Sequence, residues 1–195
     1  WERAKEQYGV AMPVVRAMEE KGIVKLESMR IYRDPLDLMI SRSNQKQEEV
    51  KMQTGRDFFL NEEQQLAVQT ILKEWDQKDK SVYLLHGVTG SGKTEVYMEL
   101  IDFVRKQGKQ AIFLIPEIAL TYQMVLRFYQ RFGSRVSILH SRMSAGERYD
   151  QYEKAKNGEI DIMIGPRSAL FTPFSNLGII IIDEEHEESY KSETV

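Results

Sequence analysis

Apolar residues in this chain follow two rhythms, and the change between them marks its organisation. Near the start they recur at helical spacing, with Val14, Val15 and Met18 on one face and Pro13 suited to a first helical turn. Gly22 is a natural stop for that helix. Ile23–Leu26 and Met29–Tyr32 then alternate, which predicts two short strands of a β-ribbon. A short helix and one hairpin bury too little surface to stand alone, so residues 1–40 read as the end of a small domain. Residues 41–59 read as a linker, because from Ser41 to about Gly55 apolar positions nearly vanish among Gln, Lys, Glu and Ser.

From residue 60 the second rhythm takes over. Asn61 is a suitable N-cap for a helix over Glu62–Trp75, with Leu66, Ile71 and Leu72 on its apolar face. Short continuous apolar runs follow at Ser81–Leu85, Ala111–Ile115, Val136–Leu139, Ile160–Ile164 and Ile179–Ile182. Each is bounded by Gly, Pro or polar residues and separated from the next by helix-compatible sequence. Continuous apolar strands imply burial on both faces, and their alternation with helices implies a mostly parallel α/β sheet.

Composition narrows the function classes. The chain has 195 residues, 42% of them hydrophobic and 29% charged, enough for a core and unlike a disordered segment. It has no cysteine, which removes disulfides, thiolate zinc sites and cysteine nucleophiles together. No apolar run approaches the ~18 residues a spanning helix needs, so no membrane partner is expected. No signal peptide follows Trp1, and the chain reads as a piece of a longer cytoplasmic protein. The net charge of -3 is unevenly placed: residues 183–195 carry six carboxylates against Lys191, and the remainder is nearly balanced. Such balance neither demands nor excludes a nucleic-acid partner, since a few placed cations suffice to contact phosphates.

Two motifs carry chemistry. Gly87, Val88, Thr89, Gly90, Ser91, Gly92, Lys93 and Thr94 form the G-x-x-x-x-G-K-[ST] pattern between a predicted strand and a predicted helix. Its glycines let backbone N–H groups converge on an anion, and the helix N-terminus adds partial positive charge there. Lys93 is expected to reach the β- and γ-phosphates of ATP, and the Thr94 hydroxyl to join a Mg²⁺ shell. The bland alternative, a glycine-rich turn that binds nothing, does not account for the strand and helix on either side. The second motif is Asp183-Glu184-Glu185-His186, which ends the last apolar run. Carboxylates there fall at the C-terminal edge of the sheet, beside the phosphate loop. Asp183 is expected to hold the Mg²⁺, Glu184 to orient or deprotonate a water, and His186 to relay the state of the γ-phosphate. A solvated acidic tail is the competing reading.

These motifs, with Ile115-Pro-Glu-Ile-Ala-Leu-Thr121 and Ile164-Gly-Pro-Arg-Ser-Ala-Leu-Phe171, resemble the primosomal protein N′ family, bacterial replication-restart DNA helicases of superfamily 2. The likeness is dense over residues 60–191, and residues 8–35 resemble the end of that family's winged-helix domain. It implies a RecA-like P-loop NTPase lobe over 60–195, ending after the DEEH box, preceded by a partial winged-helix element and the linker. It implies a 3′-to-5′ helicase that recognises stalled or branched forks and restarts replication. Single-stranded and branched DNA, primosome proteins and single-strand-binding protein are the implied partners. Zinc is implied only for a cysteine-rich region this sequence does not contain. By motif match, Pro116, Glu117 and Thr121 are expected along single-stranded DNA. His140 and Ser141 are expected in a comparable loop, unless they cap the helix beginning near Ser144. Arg167 is expected at the phosphate backbone, and Gln64 where such helicases read adenine.

Other readings are a different superfamily 2 double-strand translocase, a small-molecule kinase, or a DNA- or protein-binding module with an idle phosphate loop. A kinase needs a lid and an acceptor pocket, for which the sequence offers no segment.

Overall fold

Side-chain alternation along one buried strand organises the fold. The computed structural model describes residues 11–25, 59–75 and 82–190. In chain order these form α1 (Met12–Glu20), α2 (Glu62–Lys73), α3 (Lys93–Lys106), β1 (Gln110–Leu114), α4 (Tyr122–Phe132), β2 (Val136–Ile138), α5 (Ala145–Lys156), β3 (Ile162–Gly165) and β4 (Leu177–Ile182). The strands make a parallel sheet in the order β2-β3-β1-β4. β1 is buried throughout, with Phe113 opposite Ile164 on one side and Ile181 on the other. Ala111, Phe113 and Ile115 face a cluster with Met98 and Ile101 of α3 and Val125 and Phe128 of α4. Ile112 and Leu114 face the opposite way, towards Met163 and the α5 residue Ala155. Helices therefore cover both faces, as a parallel sheet requires, and the expected α/β class is the one observed.

The chain divides into two units, Trp1–Tyr32 and Arg33–Val195. In the first, Pro13 stands in the first turn of α1, and Gly22 turns the chain just past its end. The predicted β-ribbon and linker fall almost wholly outside the described residues, and 23–25 form no strand. In the second unit Asn61 caps α2 through a capping box with Gln64, and Ser144 caps α5 through one with Glu147. Each satisfies helix N–H groups that would otherwise lack partners. Ser144 caps that helix itself, and neither His140 nor Ser141 is needed for it.

Three sequence expectations need correction. Leu66 is exposed; α2 instead turns Val68, Ile71 and Leu72 towards α3, a set at i, i+3, i+4 from which Leu66 lies on the far side. The run at Ser81–Leu85 does not form a strand: 82–88 have no regular structure, and Val82 is 99% exposed. β4 is not buried on both faces either, since Leu177, Ile180 and Ile182 are exposed. The last two share a cause. A strand exists only beside a hydrogen-bonding neighbour; β4 is the last strand of the described sheet, and a cleft lined by both β4 and 82–86 separates the two.

Candidate nucleotide-binding site

In a parallel sheet every strand delivers its following loop to the same edge, and here that edge collects the predicted residues. Across the sheet the order is His140 and Ser141 after β2, Arg167 after β3, Pro116 to Thr121 after β1, and Asp183 to His186 after β4. Loops expected to touch DNA thus occupy three adjacent strands. The acidic turn ends the fourth, next to the phosphate loop.

That loop is shaped by backbone. Gly90 and Gly92 both have φ +82°, a left-handed conformation open to glycine at no steric cost. Gly92 is the N-cap of α3 and provides no side-chain hydrogen bond, so the start of that helix at the loop carries no side-chain cap. The Lys93 ammonium donates to the carbonyls of Gly87 at 2.7 Å and Val88 at 3.1 Å, which places its charge at the loop. Gln64 meets the loop from outside: its amide N–H group donates to Ser91 O at 3.1 Å and Gly92 O at 3.4 Å. A Cβ added to Gly92 would collide with that amide.

Asp183 stands across from the loop. Its N–H donates to Leu114 O at 2.9 Å, carrying the ladder one residue past β4. Glu184 then takes φ +49°, the non-glycine residue with positive φ among those described. Such a conformation costs on the order of 1 kcal/mol and swings the chain away from the sheet. Two tyrosines, both missed in the sequence, bracket the turn. Tyr97 of α3 donates its hydroxyl to Asp183 Oδ1 at 3.3 Å, and Tyr190 donates to Asp183 O at 3.1 Å. Burial, then the Asp183 carboxylate, pushes the Tyr97 phenol far above its ordinary value. Burial first, then the carboxylates of Asp183, Glu184 and Glu187, does the same to Tyr190. Both phenols remain protonated donors at any working pH.

Thr94 and Asp183 line the same cleft, together with Gly90, Lys93, Glu184 and His186. Its volume of about 2320 Å³ exceeds the ~300–1,000 Å³ of a usual small-molecule site. Among the described residues no group of three His, Asp or Glu side chains converges as a metal site. The donor set fits an ion held by one hydroxyl and one carboxylate with oxygens from a phosphate, the pattern magnesium takes.

The remaining predicted residues divide by exposure. Arg167 is exposed at the start of a 3₁₀ turn, Arg167–Phe171. Thr121 is exposed and caps α4 by accepting from Met124 N. Pro116 is buried, and its carbonyl accepts from Ala119 N and Leu120 N and so makes the turn. Glu117 and Ser141 are brought together: the Glu117 carboxylate accepts from Ser141 N and Oγ, both at 2.6 Å. His140 beside them is half-buried.

The family model described as type III restriction enzyme, res subunit, matches residues 57–194. The chain belongs to that family. Within it, the chain is 46% identical over 180 residues to replication restart protein PriA of Bacillus subtilis (strain 168), covering 92% of this chain and 21% of that protein. It is 51% identical over 132 residues to the PriA of Chlamydia trachomatis, covering 68% of this chain and 18% of that protein. For Haemophilus influenzae PriA the figures are 41% over 177 residues, 91% and 23%. The resemblance read from the motifs is borne out, and the chain spans about a fifth of the length of these relatives.

Proposed function

We propose that this chain is the ATP-binding lobe of an ATP-dependent 3′-to-5′ DNA helicase that acts at stalled or branched replication forks and restarts replication. The observation that carries it is the facing pair of a left-handed glycine loop opening α3 and the Asp183-Glu184 turn closing β4 across one cleft. In this reading the N–H groups of 90–94 and the Lys93 ammonium hold the phosphates of ATP, where charge-assisted bonds are strongest. Thr94 and Asp183 hold magnesium, which when bound supplies neutralising charge to the phosphate oxygens. Glu184, thrown clear of the sheet by its left-handed backbone, orients or deprotonates the attacking water. His186, two residues on, relays the state of the site. Gln64, which touches the loop, lies where it senses the bound nucleotide.

DNA is assigned to the other half of the same edge. Arg167 takes a phosphate, and Thr121 and the Glu117–Ser141 pair line the path of a single strand. In this reading ATP and DNA lie on neighbouring loops of one sheet, which is what a motor lobe needs. Replication-fork DNA, primosome proteins and a cytoplasmic setting belong to this proposal with the full-length protein. Residues 1–40 enter it as the end of a winged-helix domain and 41–59 as a linker.

The test is equilibrium binding of fluorescent ADP with magnesium to this chain and to Lys93→Ala. Losing the ammonium removes an interaction worth ~1.5–3 kcal/mol, or roughly tenfold or more in affinity. Equal affinity of the two proteins would remove the phosphate loop from the argument.

A further inference from the structure

Tyr97 follows Thr94 by three positions on α3, so the two side chains leave the helix on one side. Its ring is buried and packs against Phe113 of β1, with centroids 5.7 Å apart. The core, not the carboxylate it touches, therefore fixes where its hydroxyl sits. Asp183 has its backbone held on both sides, by the Leu114 carbonyl through its N–H and by the Tyr190 hydroxyl through its carbonyl. The freedom left to it is rotation of its own side chain. The hydrogen bond from Tyr97 to Oδ1, at 3.3 Å, restrains that rotation and engages one of the two carboxylate oxygens of a residue that lines the same cleft as Thr94.

We propose that Tyr97 is a positioning residue for the Asp183 carboxylate, holding it in the orientation from which it meets a nucleotide-bound magnesium. The inference rests on the reading of Asp183 as the metal-holding residue. A hydroxyl tethered by its aromatic ring is a suitable orienter because it cannot follow the carboxylate if the latter swings away. Removing the hydroxyl while keeping the ring leaves the packing against Phe113 intact and frees the carboxylate alone.

The experiment uses this chain, a fluorescent non-hydrolysable ATP analogue and a magnesium titration, with a parallel titration in EDTA. It compares the parent with Tyr97→Phe, Asp183→Asn and the double variant. Tyr97→Phe is expected to raise the magnesium concentration at half-saturation about tenfold, the usual scale for losing a partner that orients a metal ligand. Analogue affinity in EDTA should not change. Asp183→Asn should raise the magnesium midpoint at least as far, and the double variant should match Asp183→Asn alone. If Tyr97→Phe leaves the midpoint at the parent value while Asp183→Asn moves it, Tyr97 positions nothing and the reading of Asp183 stands. Tyr97 is also ruled out as a positioning residue if its substitution shifts the midpoint equally in the Asp183→Asn background, as a general loss of structure would. If Asp183→Asn itself leaves the midpoint in place, the metal reading falls, and the inference falls with it.

Discussion

Glu184 shows how much a single residue's backbone can decide. Its neighbours Asp183 and Glu185 carry the same chemistry, but Asp183 is tied into the ladder and Glu184, at φ +49°, leaves it. That separation supports giving the metal to one carboxylate and the proton to the other. Glu184→Gln keeps the size and hydrogen-bonding reach and removes the base. In the full-length protein it is expected to bind ATP within about twofold of the parent while turnover falls ~10²–10⁴-fold, the usual contribution of a general base. Nucleotide fluorescence and phosphate release measured side by side would show it, and a parallel loss of binding would contradict it. Arg167 makes a contrasting case on the same edge. Arg167→Ala should leave nucleotide affinity alone and weaken single-strand binding. It should also flatten the salt dependence of that binding by about one unit of logarithmic slope, the share of a single phosphate. An unchanged slope in fluorescence-anisotropy titrations would take Arg167 off the DNA.

Elements are tied together at the opposite end of the sheet, away from these loops. Asp161, just before β3, accepts from Arg105 of α3 at 3.1 Å and from Arg135, before β2, at 3.0 and 2.5 Å. Burial alone would raise this carboxyl, but the hydrogen bonds from Arg135 and Arg105 outweigh it and hold it below its ordinary value of 3.8. A group with its folded pKa depressed gives stability that is fully present above its unfolded pKa and lost as pH falls through the folded one. The window is therefore below about pH 4. Asp161→Asn should lower the melting temperature at neutral pH, and the gap from the parent should close as pH falls through that window. A gap that stays constant with pH, in circular-dichroism melts, would show that the carboxylate charge is not what joins these elements. On the site side α3 and α4 are joined by ion pairs of Glu95 with Arg127 and Glu99 with Arg131. The phosphate-loop helix is thereby fixed to the helix that follows the Pro116–Thr121 turn.

For the whole molecule the arrangement of cations around the cleft sets an expectation about rate. Among the described residues the arginine lining it, Arg127, is already paired with Glu95. A phosphoryl transfer without a free guanidinium at the transferring group typically loses ~10³-fold or more in turnover. This chain is accordingly expected to bind ATP but hydrolyse it very slowly, with or without DNA. Steady-state phosphate release from it at ordinary helicase rates would overturn that view.

What the sequence determined by itself was local chemistry and its chain order. The glycine-lysine loop, the Asn61 cap, the continuous apolar runs and the DEEH box each depend on spacing within a few residues, and spacing is what a sequence states directly. The parallel α/β class followed from the same runs. Tertiary structure decided everything that rests on a neighbour distant in the chain. It left Val82 and Leu84 exposed although their run looked like a buried strand, because a strand requires a partner and β4 lies across the cleft. It brought Glu117 to Ser141, and Tyr97 to Asp183, pairs separated by 24 and 86 positions. It turned Pro116 inward as the hinge of a turn. The reason is the same in each case. Side-chain periodicity fixes which way a residue faces within its own element, but only the stacking order of the strands fixes what it meets there.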